Sequence, residues 1–160
     1  MARMMKDEPD NYDWYQGLKK SPLNPPKWVF PVAWSILYTC IGVSIVTYLQ
    51  TTGLVYTHGL LFWIIQMISN LVWSPLFFSK KMIRAAFVDI LVMWVSIFFT
   101  ILQFQTINMI AAYLLYPYLV WVSFATYLNG YIMINNPQGV RKNHSDNSKF
   151  YWSYLMRLDI

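Results

Sequence analysis

Charged residues are scarce in this chain of 160 residues, because Asp, Glu, Lys and Arg together make up only 12% of it. A soluble globular protein carries about 25% charged residues. The scarcity argues against a soluble domain, and it also argues against a disordered chain or a nucleic-acid-binding module. Cysteine is almost absent as well. The single Cys40 cannot form a bridge within the chain, which excludes an internally disulfide-bonded scaffold.

Catalytic and metal-binding patterns are also missing. The two histidines, His58 and His144, are isolated in the sequence. There are no paired carboxylates, no Cys/His metal spacing, no phosphate-binding glycine loop and no GxSxG motif. We therefore predict no catalytic residues, no metal site and no cofactor.

Long apolar stretches are what the chain has instead, with 57% hydrophobic and 19% aromatic residues. A helix needs roughly 20 mostly apolar residues to cross a bilayer. Four stretches qualify, at about 29–49, 60–78, 85–104 and 109–134. The links between them are short, so neighbouring helices must run antiparallel. The sequence predicts an all-α, four-helix, up-down transmembrane bundle over 29–136, preceded by a cytoplasmic segment 1–28 and followed by a polar tail 137–160.

The basic residues support this count of spans. All 12 Lys and Arg residues fall in the N-terminal segment, the link between the second and third spans, or the tail. By the positive-inside rule, both termini are predicted to lie in the cytoplasm. The basic residues that give the net charge of +5 are thus expected to contact anionic membrane lipid, and we expect no nucleic-acid partner. The membrane is predicted to be the mitochondrial outer membrane in a eukaryote or the cell envelope in a bacterium.

Polar and aromatic side chains recur at helical spacing inside the spans. The repeated positions are Trp34, Tyr38 and Ile41 in the first span, Gln66, Asn70 and Trp73 in the second, Asp89, Met93, Ser96 and Thr100 in the third, and Trp121, Ala125 and Asn129 in the fourth. Two interpretations stay open. These side chains hold helices together through hydrogen bonds of about 0.6 kcal/mol each, or they line a mostly apolar ligand cavity with a few polar anchors.

Asp89 is the only formally charged residue within the predicted spans. A proton relay normally needs a second titratable group at the same depth, and none is present. We expect instead a carboxylate stabilised by the helix dipole and by Lys81 or Arg84.

The segment before the first span, WYQGLKKSPLNPPKWVFPVAW, is rich in proline and aromatic residues. Its four prolines cannot continue a helix and restrict the residues before them. We expect an ordered loop over the helix ends, serving as a lid or as an interfacial anchor.

Several blocks resemble the translocator protein / tryptophan-rich sensory protein family. They are WYQGLKKSPLNPPKWVFPVAWSILYTCIG, QMISNLVWSPLFF, AAFVDILV and AAYLLYPYLVWVSFATYLN, in the family's order. The resemblance implies a membrane receptor or translocator that binds porphyrins such as protoporphyrin IX, or another haem-like tetrapyrrole, in a pocket beneath the loop. Roles in transport or stress sensing are implied as well. In animal members it also implies sterol binding. The cholesterol-type motif expected after the last helix is poorly matched here, because the first basic residue after Tyr131 is Arg141. Sterol binding is therefore only weakly supported.

The resemblance carries ligand contacts onto Trp34, Asn70, Trp121 and Ala125. To these we add Phe30, Tyr38, Trp73 and Phe104, which complete the predicted site. Indole rings stack on a flat macrocycle, and the Asn70 amide can bond a carbonyl or propionate. Ligand is expected to enter beneath the loop and to lie between Trp34 and Trp121.

Two departures from the family pattern bear on this prediction. The chain is expected to lack the family's first spanning helix, and Leu23 stands where the family's loop has a tryptophan. The alternatives are a porphyrin-degrading, enzyme-like activity, a small drug-type exchanger, and a ligand-free membrane scaffold. A homodimer is left open.

Overall fold

The computed structural model describes residues 14–137 of the chain. The first part of the predicted N-terminal segment and almost all of the predicted polar tail lie outside these residues.

Four apolar helical segments, each long enough to span a membrane, form the described structure. The helices are α1 (Val29–Thr52), α2 (His58–Ser74), α3 (Ile83–Gln105), α4 (Met109–Tyr113) and α5 (Tyr116–Asn135). A π-helical turn, Pro75–Ser79, extends α2, and α4 with α5 makes up the fourth span. No strand occurs between residues 14 and 137. The predicted all-α, four-span bundle is confirmed, and we describe the protein as an integral membrane protein.

The helix ends follow from local chemistry. The Thr57 hydroxyl accepts a hydrogen bond from the Leu60 N–H at the start of α2, and the Asn108 side chain accepts two backbone N–H bonds at the start of α4. Gly53 ends α1 with φ 68° and ψ −172°, a conformation that is essentially restricted to glycine. Pro117 lies in the first turn of α5, where its missing N–H costs nothing, so the helix breaks just before it.

The central helix of the bundle is α3, which packs against α2 on one side and α5 on the other. By contrast, α1 packs against α4 and α5. The core holds stacked rings of Tyr48 and Phe104, whose centroids lie 3.8 Å apart at an angle of 10°. Ser44 of α1 donates a 2.6 Å hydrogen bond to the Ala111 carbonyl of α4. This polar contact ties α1 to the fourth span.

The loop before α1 lies across one end of the bundle, as predicted. Its backbone at Lys19 exchanges two hydrogen bonds with the Asn136 side chain, at 2.9 and 3.0 Å. The Ser21 hydroxyl lies 3.2 Å from the Tyr127 hydroxyl of α5. At the other side of the bundle, Trp14 and Tyr15 pack edge-on against aromatic rings of the π-helical turn. The loop therefore fastens the end of α2 to the end of α5.

At Gly59, α2 lies close to side chains of α1 and α3. A Cβ atom there would lie 3.1 Å from the Tyr48 hydroxyl and the Gln103 Cβ, and 3.2 Å from a Phe104 ring carbon. We expect Gly59→Ala to lower the free energy of unfolding by about 1–3 kcal/mol, the usual cost of overpacking. Gly42→Ala is the control, because nothing lies within 4 Å of its added Cβ. Denaturant titration of both variants in detergent tests this, and equal stabilities would contradict it.

Candidate ligand-binding site

A cavity of about 170 Å³ lies among α1, α2, α3 and α5, in the half of the bundle where α1 begins. Its walls are mostly apolar. The lining residues are Phe30, Trp34, Tyr38, Asn70, Leu71, Trp73, Ser74, Ile90, Met93, Trp121, Val122 and Ala125. A largely apolar cavity with a few polar groups is the usual composition of a small-molecule site.

Aromatic rings from α1, α2 and α5 form much of the wall. Trp34 stacks on Tyr38 with ring centroids 5.3 Å apart, because the two residues lie one turn apart on α1. Across the cavity, Trp121 of α5 meets Phe30 edge-on at 5.9 Å. Flat apolar ligands can stack against such rings, and edge-to-face contacts hold the rings in place.

A buried hydrogen-bond network supplies the polar part of the cavity. The Tyr38 hydroxyl donates to the Asn70 side-chain oxygen at 2.6 Å, and the Asn70 amide donates to the Tyr118 hydroxyl at 3.0 Å. The same amide nitrogen lies 3.9 Å from the Met93 sulfur. A ligand that bonds the Asn70 amide must therefore share it with these side chains or replace one of them. The sequence did not indicate these competing partners.

At the end of α2, two lining residues hold a buried polar atom with no hydrogen-bond partner among residues 14–137. They are the indole nitrogen of Trp73 and the hydroxyl of Ser74. The Trp73 ring stacks on Phe77 of the π-helical turn, with centroids 5.2 Å apart. The turn thus positions one wall of the cavity.

The structure brings seven of the eight predicted site residues to this one cavity: Phe30, Trp34, Tyr38, Asn70, Trp73, Trp121 and Ala125. Phe104 is the exception and does not line it. It lies 11 residues beyond Met93 on α3, about 16 Å along the helix axis, and stacks on Tyr48 in the core instead. Whether the seven residues bind a ligand stays a prediction.

Five lining residues are absent from the predicted site: Leu71, Ser74, Ile90, Met93 and Val122. Leu71, Ser74 and Val122 are chain neighbours of predicted site residues, and Met93 belongs to the predicted polar stripe of the third span. Helical spacing could have found Ile90, which precedes Met93 by three residues on the same face. Leu71 gave no signal, since a single leucine in an apolar span is indistinguishable from a lipid-facing one.

Asp89 does not form the expected contact with Lys81 or Arg84 among residues 14–137. The Ser69 side chain of α2 lies near its carboxylate, and one carboxylate oxygen is buried with no hydrogen-bond partner among these residues. The Lys81 ammonium lies over the Trp14 ring instead, 5.9 Å from its centroid. In the part of the chain that the structure describes, no group of three His, Cys, Asp or Glu side chains could hold a metal ion.

Comparison with known families matches the TspO/MBR family model to residues 2–134 of this chain. The chain belongs to the TspO/MBR family. A tryptophan-rich protein TspO of Chlorobaculum tepidum is 40% identical over 126 residues, which cover 78% of this chain and 80% of the relative. The translocator protein of Ovis aries is 35% identical over 137 residues, covering 82% and 79% of the two chains.

A further relative has a different kind of name. Protein CrtK of Rhodobacter capsulatus is 34% identical over 129 residues, covering 78% of this chain and 79% of the relative. The names of the Chlorobaculum tepidum and Ovis aries relatives describe a tryptophan-rich protein and a translocator protein, not enzymes. The aromatic cavity is thus found in a family named in part for its tryptophans.

Proposed function

We propose that this protein is a membrane receptor or translocator that binds a porphyrin, such as protoporphyrin IX, or a similar flat lipophile at the cavity. The observation that carries the proposal is the convergence of Trp34 and Trp121 from separate helices on one apolar space beside the Asn70 network. Trp121 lies near the middle of the fourth span, Met109–Asn135, away from the interfacial belts where membrane tryptophans are common, and this position suits a binding wall. The family relationship supports a translocator or sensory role.

The size of the cavity limits how such a ligand can bind. Sites that enclose a drug-sized ligand usually measure about 300–1,000 Å³, and this cavity measures about 170 Å³. It can therefore enclose one edge of a macrocycle while the rest extends through its opening. The apolar edge would lie against the indole rings, and a polar substituent would reach Tyr38 or Asn70.

Titration of the purified protein with protoporphyrin IX, followed by tryptophan fluorescence quenching, tests the proposal. We expect Trp34→Phe combined with Trp121→Phe to raise the dissociation constant about tenfold, because each ring contact contributes roughly 0.5–1.5 kcal/mol. The comparison uses the concentration at half-saturation, since removing fluorophores changes the amplitude.

A matched control removes two tryptophans that do not line the cavity. Trp28 is 67% exposed at the start of the bundle, and Trp94 stacks on Phe98 and donates a hydrogen bond to Ser123. Trp28→Phe with Trp94→Phe should leave the half-saturation concentration unchanged. An equal affinity for both double variants would show that porphyrin does not bind between Trp34 and Trp121.

A further inference from the structure

Two hydrogen-bond donors in the cavity wall have no partner among residues 14–137. They are the indole N–H of Trp73 and the hydroxyl of Ser74, and both residues line the cavity. Buried polar groups in folded proteins nearly always have a hydrogen-bond partner. Two unmade bonds side by side in the wall of a cavity therefore point to a ligand atom that accepts them.

The other polar anchor of the cavity, Asn70, is already engaged. Its side-chain oxygen accepts a hydrogen bond from Tyr38, and its amide donates one to Tyr118. Trp73 and Ser74 follow Asn70 by three and four residues on α2, so the three side chains share one face of the helix. A ligand substituent that reaches Asn70 therefore also reaches two donors that it can bond without breaking the Asn70 network.

A third side chain without a partner lies at the same end of the bundle. Asn129 of α5 is 2% exposed, and neither its amide nitrogen nor its oxygen has a partner within the described range. It follows the lining residue Ala125 by one helical turn. It also precedes Ile132 by three residues, and Trp73 packs against the buried cluster that contains Ile132. Polar atoms of α2 and α5 thus continue beyond the apolar part of the cavity.

The charge of the wall limits which ligand group these donors can hold. Among the described residues, no lysine or arginine lines the cavity. An ionised carboxylate buried without a counter-ion is strongly disfavoured. A neutral carbonyl oxygen needs only donors, and the indole N–H of Trp73 is a donor that cannot accept. The wall therefore suits the carbonyl of an ester, an amide or an un-ionised carboxylic acid.

From this arrangement, and resting on the proposed function, we infer that Trp73 and Ser74 form a polar subsite that binds a neutral carbonyl oxygen on the inserted edge of the ligand. Asn129 lies at the far end of this subsite. The two donors determine specificity: of two flat lipophiles of similar size, the cavity prefers the one that presents a carbonyl. Tetrapyrroles with esterified or un-ionised acid side chains meet this requirement.

Two porphyrins with the same macrocycle test the subsite. Protoporphyrin IX dimethyl ester carries ester carbonyls, and octaethylporphyrin carries only ethyl groups. Each is titrated against the unmodified protein, Trp73→Phe, Ser74→Ala and Trp63→Phe in detergent, and the half-saturation concentration is measured by fluorescence quenching. Trp63→Phe is the matched control. The Trp63 indole nitrogen is also buried on α2 without a partner in the described part of the chain, but Trp63 does not line the cavity.

We expect Trp73→Phe and Ser74→Ala each to weaken binding of the ester about fivefold relative to octaethylporphyrin, equivalent to about 1 kcal/mol for one hydrogen bond. The ratio of the two affinities isolates this bond, because a change in ring size or packing acts on both porphyrins. Trp63→Phe should leave the ratio within about twofold of its value in the unmodified protein.

The failure of the subsite is distinguishable from the failure of the proposed function. If both porphyrins bind and the ratio is unchanged in Trp73→Phe and Ser74→Ala, the subsite is wrong and the proposed function stands. An equal change of the ratio in Trp63→Phe also overturns the subsite. If the unmodified protein binds neither of these porphyrins nor protoporphyrin IX, the proposed function fails and the subsite fails with it.

The ester carbonyl provides a second readout that does not depend on affinity. A hydrogen-bonded carbonyl absorbs infrared light at a lower frequency than a free one. We expect this shift for the ester bound to the unmodified protein and to Trp63→Phe, and a smaller shift in Ser74→Ala. Because the Ser74 hydroxyl has no partner among residues 14–137, Ser74→Ala should not destabilise the ligand-free protein. A bound ester whose carbonyls show no shift in the unmodified protein overturns the inference.

Discussion

Ala125→Phe is expected to weaken porphyrin binding more than any other single substitution in the cavity. Ala125 lines the cavity one helical turn after Trp121, so a phenyl ring there occupies the space between the tryptophans. We expect the half-saturation concentration to rise by more than about tenfold, the equivalent of 1.4 kcal/mol. The fold should persist because the phenyl ring enters the existing cavity. By contrast, the methyl group added by Gly59→Ala meets side-chain atoms at 3.1–3.2 Å.

Val120→Phe is the matched control for this prediction. Val120 lies on the same helix and is 68% exposed, so its larger replacement projects toward lipid. Binding should be unchanged by it. Fluorescence titration measures the affinity, and thermal unfolding in detergent confirms that both variants are folded. Normal binding by folded Ala125→Phe would mean that the ligand site lies elsewhere.

Asn70→Ala is expected to cause the largest loss of stability among the cavity residues. Its side chain accepts from Tyr38 and donates to Tyr118, and the Tyr118 hydroxyl is fully buried. Removing the amide leaves that hydroxyl without its partner and also leaves a void. Loss of a buried partner costs about 1–3 kcal/mol, above the roughly 0.6 kcal/mol of an average hydrogen bond between membrane helices.

The two tyrosines provide graded controls. Tyr118→Phe should cost less than Asn70→Ala, because the ring remains and only one bond is lost. Tyr38→Phe should cost least, since Tyr38 is 45% exposed. Denaturant titrations of the three variants should give this order, and a cost for Asn70→Ala no greater than that for Tyr38→Phe would contradict the network's structural role.

The spans were predictable because bilayer thickness imposes a length and a composition that each segment shows independently. The predicted start of the first span, at about residue 29, coincides with Val29, and the others agree to within a few residues. The π-helical turn at Pro75–Ser79 was not predicted. A proline after an apolar helix indicates a helix end or a kink. Nothing in the local sequence distinguishes those two outcomes from a π-helical turn that continues the same span.

The cavity-lining position of seven residues was predictable because side chains on the polar and aromatic face of a helix within lipid turn toward other helices, and the family blocks indicate the same faces. Phe104 does not line this cavity, and the sequence could not show this because an aromatic residue in an apolar span gives no indication of how far along the helix axis a cavity extends. The partners of Asn70 depend on contacts between residues 32 and 48 positions apart. Such contacts appear only once the helices are packed.

By itself, the sequence determined the class of the protein, the number of spans, their alternating directions, the family and most of the residues that face the interior. The family follows from the resemblance of several sequence blocks, and each of the others follows from hydrophobicity and helical spacing, which act within a segment. Only the tertiary structure decided that the cavity is small and that its polar anchor, Asn70, is already hydrogen-bonded. Those features depend on the distances between helices, and the distances are set by side-chain packing between segments distant in the chain.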